Sequence, residues 1–389
     1  MLPQFVFARF SHHLCTGILV PLLPLVRQDF ALSFFQSGLL TSAFGLVYGL
    51  AQLPIVALSE RIGQRRVMIV GLIGMSIAAI AGGFARDYNQ LLASRVLMGF
   101  FGSSYGALSS SYISRSFSKE RRGQMIGLHL VGGNVSNLIG PFLAVLIASL
   151  SGSWRSPFMV LALPALLAGG LLWATVPGEG VVEQKTALDF GQGKLGWRDI
   201  VRDIGVLLVV TMVLLVVMFS IQSFLPLYLT DKHGVSFQQA GILTGIMLGI
   251  GIVGSPLGGG LSDRIGRERV ILYCAISAGP LLCLLTVAPM GLWFLAVVAG
   301  LGVTMSFCMP VTESMMADYV PGLHLAMALA MYYSFTQETS SVVTPLVGRL
   351  IDLQGMDRVF QTLALLACAI SVGALVKLRL AGKPSSGAR

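Results

Sequence analysis

The sequence predicts an all-α membrane protein, with twelve transmembrane helices in two six-helix bundles. Three observations carry that prediction. The 389 residues are 55% hydrophobic and only 11% charged, with a mean hydropathy of +0.81, whereas a soluble domain is about 25% charged. The apolar residues fall into runs close to the length of about 20 that a helix needs to cross a bilayer. Finally, the two halves of the chain repeat each other.

Taken in order, the apolar runs predict spans near 4–26, 36–57, 67–84, 90–112, 123–148 and 156–176. A second set follows near 204–229, 238–259, 269–288, 291–315, 325–349 and 358–379. Residues 1–176 then form the N-terminal bundle and 204–389 the C-terminal bundle. The one long polar stretch, "PGEGVVEQKTALDFGQGKLGWRDIVRD" at 177–203, is the natural cytoplasmic linker. The first run does not read as a cleavable signal peptide, because it has no basic n-region and is interrupted by Arg9, His12 and His13. With the N-terminus inside, the inner loops hold 18 Lys and Arg and the outer loops 5. That bias places both termini in the cytoplasm of a multi-pass protein in a bacterial inner membrane.

The duplication is visible at a constant offset of 203 residues. "SFFQSGLLT" at 33–41 matches "SFQQAGILT" at 236–244, and "SERIG" at 59–63 matches "SDRIG" at 262–266. A parallel repeat of six helices is a hallmark of secondary transporters.

Composition also excludes function classes. The net charge of +9 could suggest a nucleic-acid partner, but the basic residues sit in short clusters between apolar runs, as on a cytoplasmic membrane face. Five scattered cysteines lack metal-ligand spacing, so neither a metal site nor a cofactor is expected. "GIGIVG" at 249–254 and "GSSYG" at 102–106 mimic dinucleotide and nucleophile motifs. Each lies inside a predicted span with no preceding strand, so the chain is not read as an enzyme. The small residues Gly241, Gly245 and Gly249 instead suit close helix packing.

The motifs point to a family. The loop "GGLSDRIGRER", with Asp263, Arg264, Gly266 and Arg267, resembles the signature loop of the major facilitator superfamily. Its first-half copy, "VALSERIGQRR", carries Glu60, Arg61, Gly63 and Arg65, and has Val56 in place of the leading Gly. A carboxylate at a helix end and a fixed guanidinium can pair in one conformation and part in another, so this loop reads as a gate. "ASRVLMGFFG", with Arg95 and Gly99, resembles the superfamily's helix 4 motif. Gly140-Pro141, in "VGGNVSNLIGPFLAVL", resembles the helix 5 motif of its export-directed members, departing from it at Ser136 and Ala144. Within the superfamily, "FSHHL", "LPLVRQDFALSFFQSGLL" and "VGGNVSNLIGPFLA" look most like the fosmidomycin-resistance type of efflux protein, with Thr16 where those relatives carry Asp. The resemblance implies two bundles alternating around a central cavity, usually driven by a proton gradient.

A charged side chain at a helix centre costs about 2.5–3.5 kcal/mol on insertion scales, so buried polar groups are the candidate pathway residues. Arg9, His13 and Thr16 share one helical stripe, with His12 at its edge, about 15 Å into the first span. Arg95, about 9 Å into the fourth span, suits an anionic substrate or a buried acid. His129, with Asn134 and Asn137 behind it, makes the fifth span polar. Glu313 lies near the end of the tenth. Glu338, flanked by Ser334 and Ser341, is placed to carry a proton in the eleventh. Arg349 is expected to snorkel or to pair with Asp352. Spans 3, 6, 9 and 12 have no central charge and are expected to face lipid.

Together these features predict a monomeric, proton-coupled secondary transporter that exports a small organic solute, either drug-like or an anionic metabolite. Its partners are that solute, protons and the lipid bilayer, with no nucleic acid. The alternative is a proton symporter that imports a carboxylate or phosphonate.

Overall fold

A computed structural model describes residues 1–117, 119–177, 197–319 and 322–380. Among these residues the chain is helical, with no strand. The helices are α1 (Leu2–Thr16), α2 (Leu19–Phe30), α3 (Phe34–Ile62), α4 (Gln64–Gly83), α5 (Tyr88–Gly102), α6 (Gly106–Ser116), α7 (Lys119–Ser151), α8 (Arg155–Val160) and α9 (Leu163–Thr175). They continue with α10 (Trp197–His233), α11 (Phe237–Ile265), α12 (Arg267–Val287), α13 (Leu292–Tyr319), α14 (Gly322–Gln354) and α15 (Met356–Leu380). Ten stretches of the described chain are long and apolar enough to cross a membrane. Two expected spans are not among them. α5 and α6 are each too short, and α14 carries Glu338, Arg349, Asp352 and a run of Ser and Thr.

The helices of the predicted first, fourth and sixth spans are interrupted, which refines the sequence reading, although the first and sixth each remain one stretch long and apolar enough to cross a membrane. The first breaks at Gly17, where the His13 carbonyl accepts from both Gly17 N and the Thr16 hydroxyl, each at 3.1 Å. The fourth tightens through Ser103–Tyr105. There Ser104 N and Tyr105 N bond back three residues, and the Ser103 and Ser104 hydroxyls cap the Phe100 and Phe101 carbonyls at 2.8 and 2.7 Å. Tight turns of this kind in mid-helix mark hinges, and serine hydroxyls favour them by competing for the backbone. "GSSYG" therefore sits at a helix break. The linker prediction falls mostly outside the described residues, but α10 already begins at Trp197, inside the range assigned to it.

By contacts the chain forms two units: Met1–Phe190 with Gln222–Gly249 and Gln337–Leu353, and Gly191–Ile221 with Ile250–Thr336 and Gln354–Arg389. In the first unit α1 packs on α7, α4 on α5 and α9, and α3 on α5. Parts of α10, α11 and α14 join them. Gly241, Gly245 and Gly249 of α11 face Val145, Phe142 and Leu138 of α7, so the absent side chains admit those of α7. In the second unit α12 packs on α13 and α15. The helices α4, α9, α12 and α15, which carry charge only near their ends, expose Val70, Leu167, Leu284 and Leu365, an apolar surface suited to lipid.

The repeats share local chemistry. Ser33 caps α3 and Ser236 caps α11, each in a reciprocal box with the Gln three residues on. Gly63 and Gly266, between the second and third helices of each repeat, adopt φ/ψ of 93/137° and 97/139°. Nothing lies within 4 Å of a Cβ built on either, so only the backbone excludes other residues there. Gly63→Ala and Gly266→Ala are each expected to cost about 1–3 kcal/mol of stability through strain alone. An unchanged thermal unfolding midpoint in detergent would show that the loop can relax.

Candidate functional site

Within the first unit, α1, α3, the α5–α6 break and α7 converge on a polar cluster. His12 is almost fully buried, and its Nε2 lies 2.9 Å from the Gly102 carbonyl at the helix break. Its ring stacks on Tyr105 at 5.6 Å. An acceptor-only carbonyl fixes the proton on Nε2, so His12 acts as a tie between α1 and the break. His129 is also buried. Its Nδ1 donates to the Phe5 carbonyl at 3.1 Å, and that carbonyl also receives the Tyr105 hydroxyl at 2.9 Å. Its Nε2 lies 3.1 Å from the Ser109 hydroxyl, which in turn lies 3.0 Å from the Gly106 carbonyl. Ser109 can donate to a neutral ring, or accept from a charged one while donating to Gly106. Both protonation states of His129 are thus accommodated without moving a helix.

His13 and Arg9 are half-buried on the same face of α1. His13 lies against Gly133 of α7. Arg9 lies between Gly106 and Gly133, and its Nε is buried without a hydrogen-bond partner among the described residues. Arg95 is buried elsewhere in the unit. Its Nε donates to the Leu40 carbonyl at 3.3 Å and its guanidinium lies 5.1 Å from the Phe44 ring centre. Among the described residues it makes no ion pair, so the expected buried acid is not found beside it.

Glu338 is half-buried on α14, in the segment that belongs to the first unit. Its carboxylate lies directly over Gly49 of α3, and its Oε1 is buried with no hydrogen-bond partner among the described residues. Ser340 and Ser341 beside it are buried; the Ser334 side chain lies outside the described residues. Glu313 is exposed on α13, in the second unit.

The gate motifs have different partners. In the first copy Arg65 reaches the Trp173 carbonyl of α9 and lies 5.3 Å from its indole ring, while Arg61 is exposed. The Glu60 side chain lies outside the described residues. In the second copy Asp263 and Arg264 are exposed, and Arg267 binds the Ser314 carbonyl and the Asp318 carboxylate of α13, with Asp263 at 3.8 Å. Asp318 was not anticipated. Gly140-Pro141 lies inside unbroken α7, where a Cβ on Gly140 would meet Leu14 of α1 at 3.4 Å.

A further set of ties joins α2 and α3 to α10 and α14. Arg27 pairs with Asp231 at 2.5 Å and stacks over Phe34 at 4.0 Å. Asp352 does not pair with Arg349, which is exposed. Its two oxygens instead accept from Phe34 N and Phe35 N at 2.8 and 2.9 Å. With Ser33 serving Gln36 N at 3.1 Å, every free amide of the first turn of α3 is satisfied. Only the break in the fourth span left a local signal, its Gly-Ser-Ser run. The partners of Arg27, Asp352 and Arg267 are distant in sequence.

Comparison with known proteins agrees with this architecture. The family model described as Major Facilitator Superfamily matches residues 5–261 and 207–388. The chain is 26% identical over 362 residues to the fosmidomycin resistance protein of Escherichia coli (strain K12), covering 90% of this chain and 86% of that protein. It is 26% identical over 306 residues to a probable sulfoacetate transporter, SauU, of Cupriavidus necator, covering 73% and 70%. Among solved structures, a bacterial homolog of the human lysosomal transporter Spinster, in an inward-facing and occupied conformation, superposes with a TM-score of 0.85 at 16% identity, covering 99% and 98% of the chains.

Proposed function

This chain belongs to the major facilitator superfamily of membrane transporters, and we propose that it is a proton-coupled exporter of a small organic solute, drug-like or anionic, working by alternating access. In this reading two six-helix bundles, 1–176 and 204–389, are joined by a cytoplasmic linker, and both termini face the cytoplasm. Arg9, His13, Arg95 and His129 belong to the solute pathway, with His12 positioning them. Glu313 stands at its margin, and the two charged loops around Gly63 and Gly266 act as gates.

The observation that carries the reading is Glu338. Its carboxylate is held over Gly49 with a buried oxygen that no described donor satisfies. Among the described residues neither protonation state is locked by an ion pair, which suits a group that must take up and release a proton in each cycle. An intramembrane acid of this kind is a functional candidate by default. The similarity to a fosmidomycin resistance protein supports export, and the similarity to a probable sulfoacetate transporter supports an anionic solute.

The test is flux in proteoliposomes under an imposed pH gradient. Uphill movement of a drug or organic anion, collapsed by a protonophore, is expected. Flux that ignores the gradient for every solute that is moved would remove proton coupling. Import by proton symport is the second reading, and Arg9 without a described acidic partner favours an anion in either direction. Accumulation against loss of labelled solute in cells, with and without the protein, separates the two.

A further inference from the structure

A guanidinium is permanently charged, so inside a membrane it needs a counter-charge or water. Arg9 has neighbours of another kind. Those that feel its charge are His12, His13, Tyr48, Tyr105 and His129, and no described Asp or Glu pairs with it. Its surroundings are built from glycine. A Cβ on Gly133 would stand 3.3 Å from Arg9 Nε and 3.0 Å from the His13 ring. A Cβ on Gly106 would stand 3.5 Å from Arg9 Nη1 and 2.8 Å from the Tyr48 hydroxyl. On two sides, therefore, bare backbone flanks the fork, while His13 and Tyr48 add polar atoms beside it. A fork presented in this way matches the two coplanar oxygens of an oxyanion head.

We propose that Arg9 is the anion-recognising residue of the solute pathway, through its Nη atoms, and that Gly106 and Gly133 are specificity-determining positions whose missing side chains leave its guanidinium room. The ligand is a small organic anion, bound through a carboxylate, sulfonate or phosphonate head. The proposal rests on the reading that this face lines the pathway, and it is independent of proton coupling. Gly127, on the same helix as Gly133, provides the control, because a Cβ there meets nothing within 4 Å. Alanine is the better helix former at either position, so any difference between the two variants reports on Arg9 and His13.

The experiment is thermal stabilisation of the purified full-length protein by acetate, methanesulfonate, methylphosphonate, benzoate, benzenesulfonate and phenylphosphonate, against acetamide and benzamide as neutral counterparts. At least one anion is expected to raise the unfolding midpoint where its neutral counterpart does not. Arg9→Gln should weaken that anion by about tenfold to a hundredfold. Arg9→Lys should keep the charge but lose the preference among head groups, Gly133→Ala should weaken binding, and Gly127→Ala should not. Should Arg9→Gln fail to fold, Arg9→Lys and Gly133→Ala carry the test. The proposal is overturned if no anion in the set is distinguished from its neutral counterpart. Unchanged binding in Arg9→Lys and Arg9→Gln, or equal behaviour of the two glycine variants, overturns it as well. An anion that binds through Arg9 but never crosses the proteoliposome membrane would count against the pathway reading and leave the Arg9 assignment standing.

Discussion

Replacing Glu338 by Gln is expected to abolish uphill, gradient-driven flux while leaving solute exchange between the two sides of a proteoliposome partly intact. The substitution keeps the size and polarity of the side chain over Gly49 and removes only the ability to gain and lose a proton. Exchange needs the alternation of conformations and the solute, whereas uphill transport also needs the proton. A structural role for Glu338 would affect both together. Gly49→Ala offers a second approach, since a methyl group there collides with the carboxylate. It should impair uphill flux while leaving every titratable group in place. Full retention of uphill transport in Glu338→Gln would take the residue out of the coupling role.

The second large effect separates two adjacent histidines. His12 is buried, bonded to the Gly102 carbonyl and stacked on Tyr105. His12→Ala leaves that carbonyl only the Tyr105 amide as donor and removes the buried ring that ties α1 to the α5–α6 break, at a cost of about 1–3 kcal/mol from the lost hydrogen bond and packing. Its signature is a lowered unfolding midpoint and poor yield. His13 is half-buried beside Arg9 and lies against Gly133. His13→Ala should fold normally and lose at least about tenfold in transport, the size expected for removing one polar contact to the solute. Equal stability losses in the two variants, with equal activity in the folded fraction, would erase the distinction.

Much of this was legible in the sequence because it is encoded locally. Each apolar run declares its own span, and the Ser-x-x-Gln boxes and the turn glycines Gly63 and Gly266 act within a few residues of themselves. That is why the offset repeat at 33–41 and 236–244 could be read directly. Helix breaks were less legible: Gly17 is tolerated within membrane helices and declares no stop, and the Gly-Ser-Ser run at 102–104 is a local signal that does not by itself set where the helix ends. The helical stripe correctly put Arg9 and His13 on one face, since that follows from helix geometry alone. Their division of labour with His12 did not follow, because it depends on Gly102, Tyr105 and Gly133, contributed by other helices. Asp352 illustrates the same limit. Arg349, one helical turn before it, was the obvious partner, yet the carboxylate serves amides at Phe34 and Phe35 more than 300 residues away in sequence.

That carboxylate has a thermodynamic consequence. Any motion that draws α14 away from the start of α3 uncaps two amides, which costs about 0.5–2 kcal/mol, and parting Arg27 from Asp231 adds up to about 1 kcal/mol for a pair this exposed. Sums of that size tilt a two-state balance by roughly twofold to a hundredfold. In a transporter that alternates between two states, the resting population would then be set in part by hydrogen bonds outside the proposed solute pathway. Asp352 is then a handle by which the dwell time of one state can be changed while the chemistry of recognition is left alone.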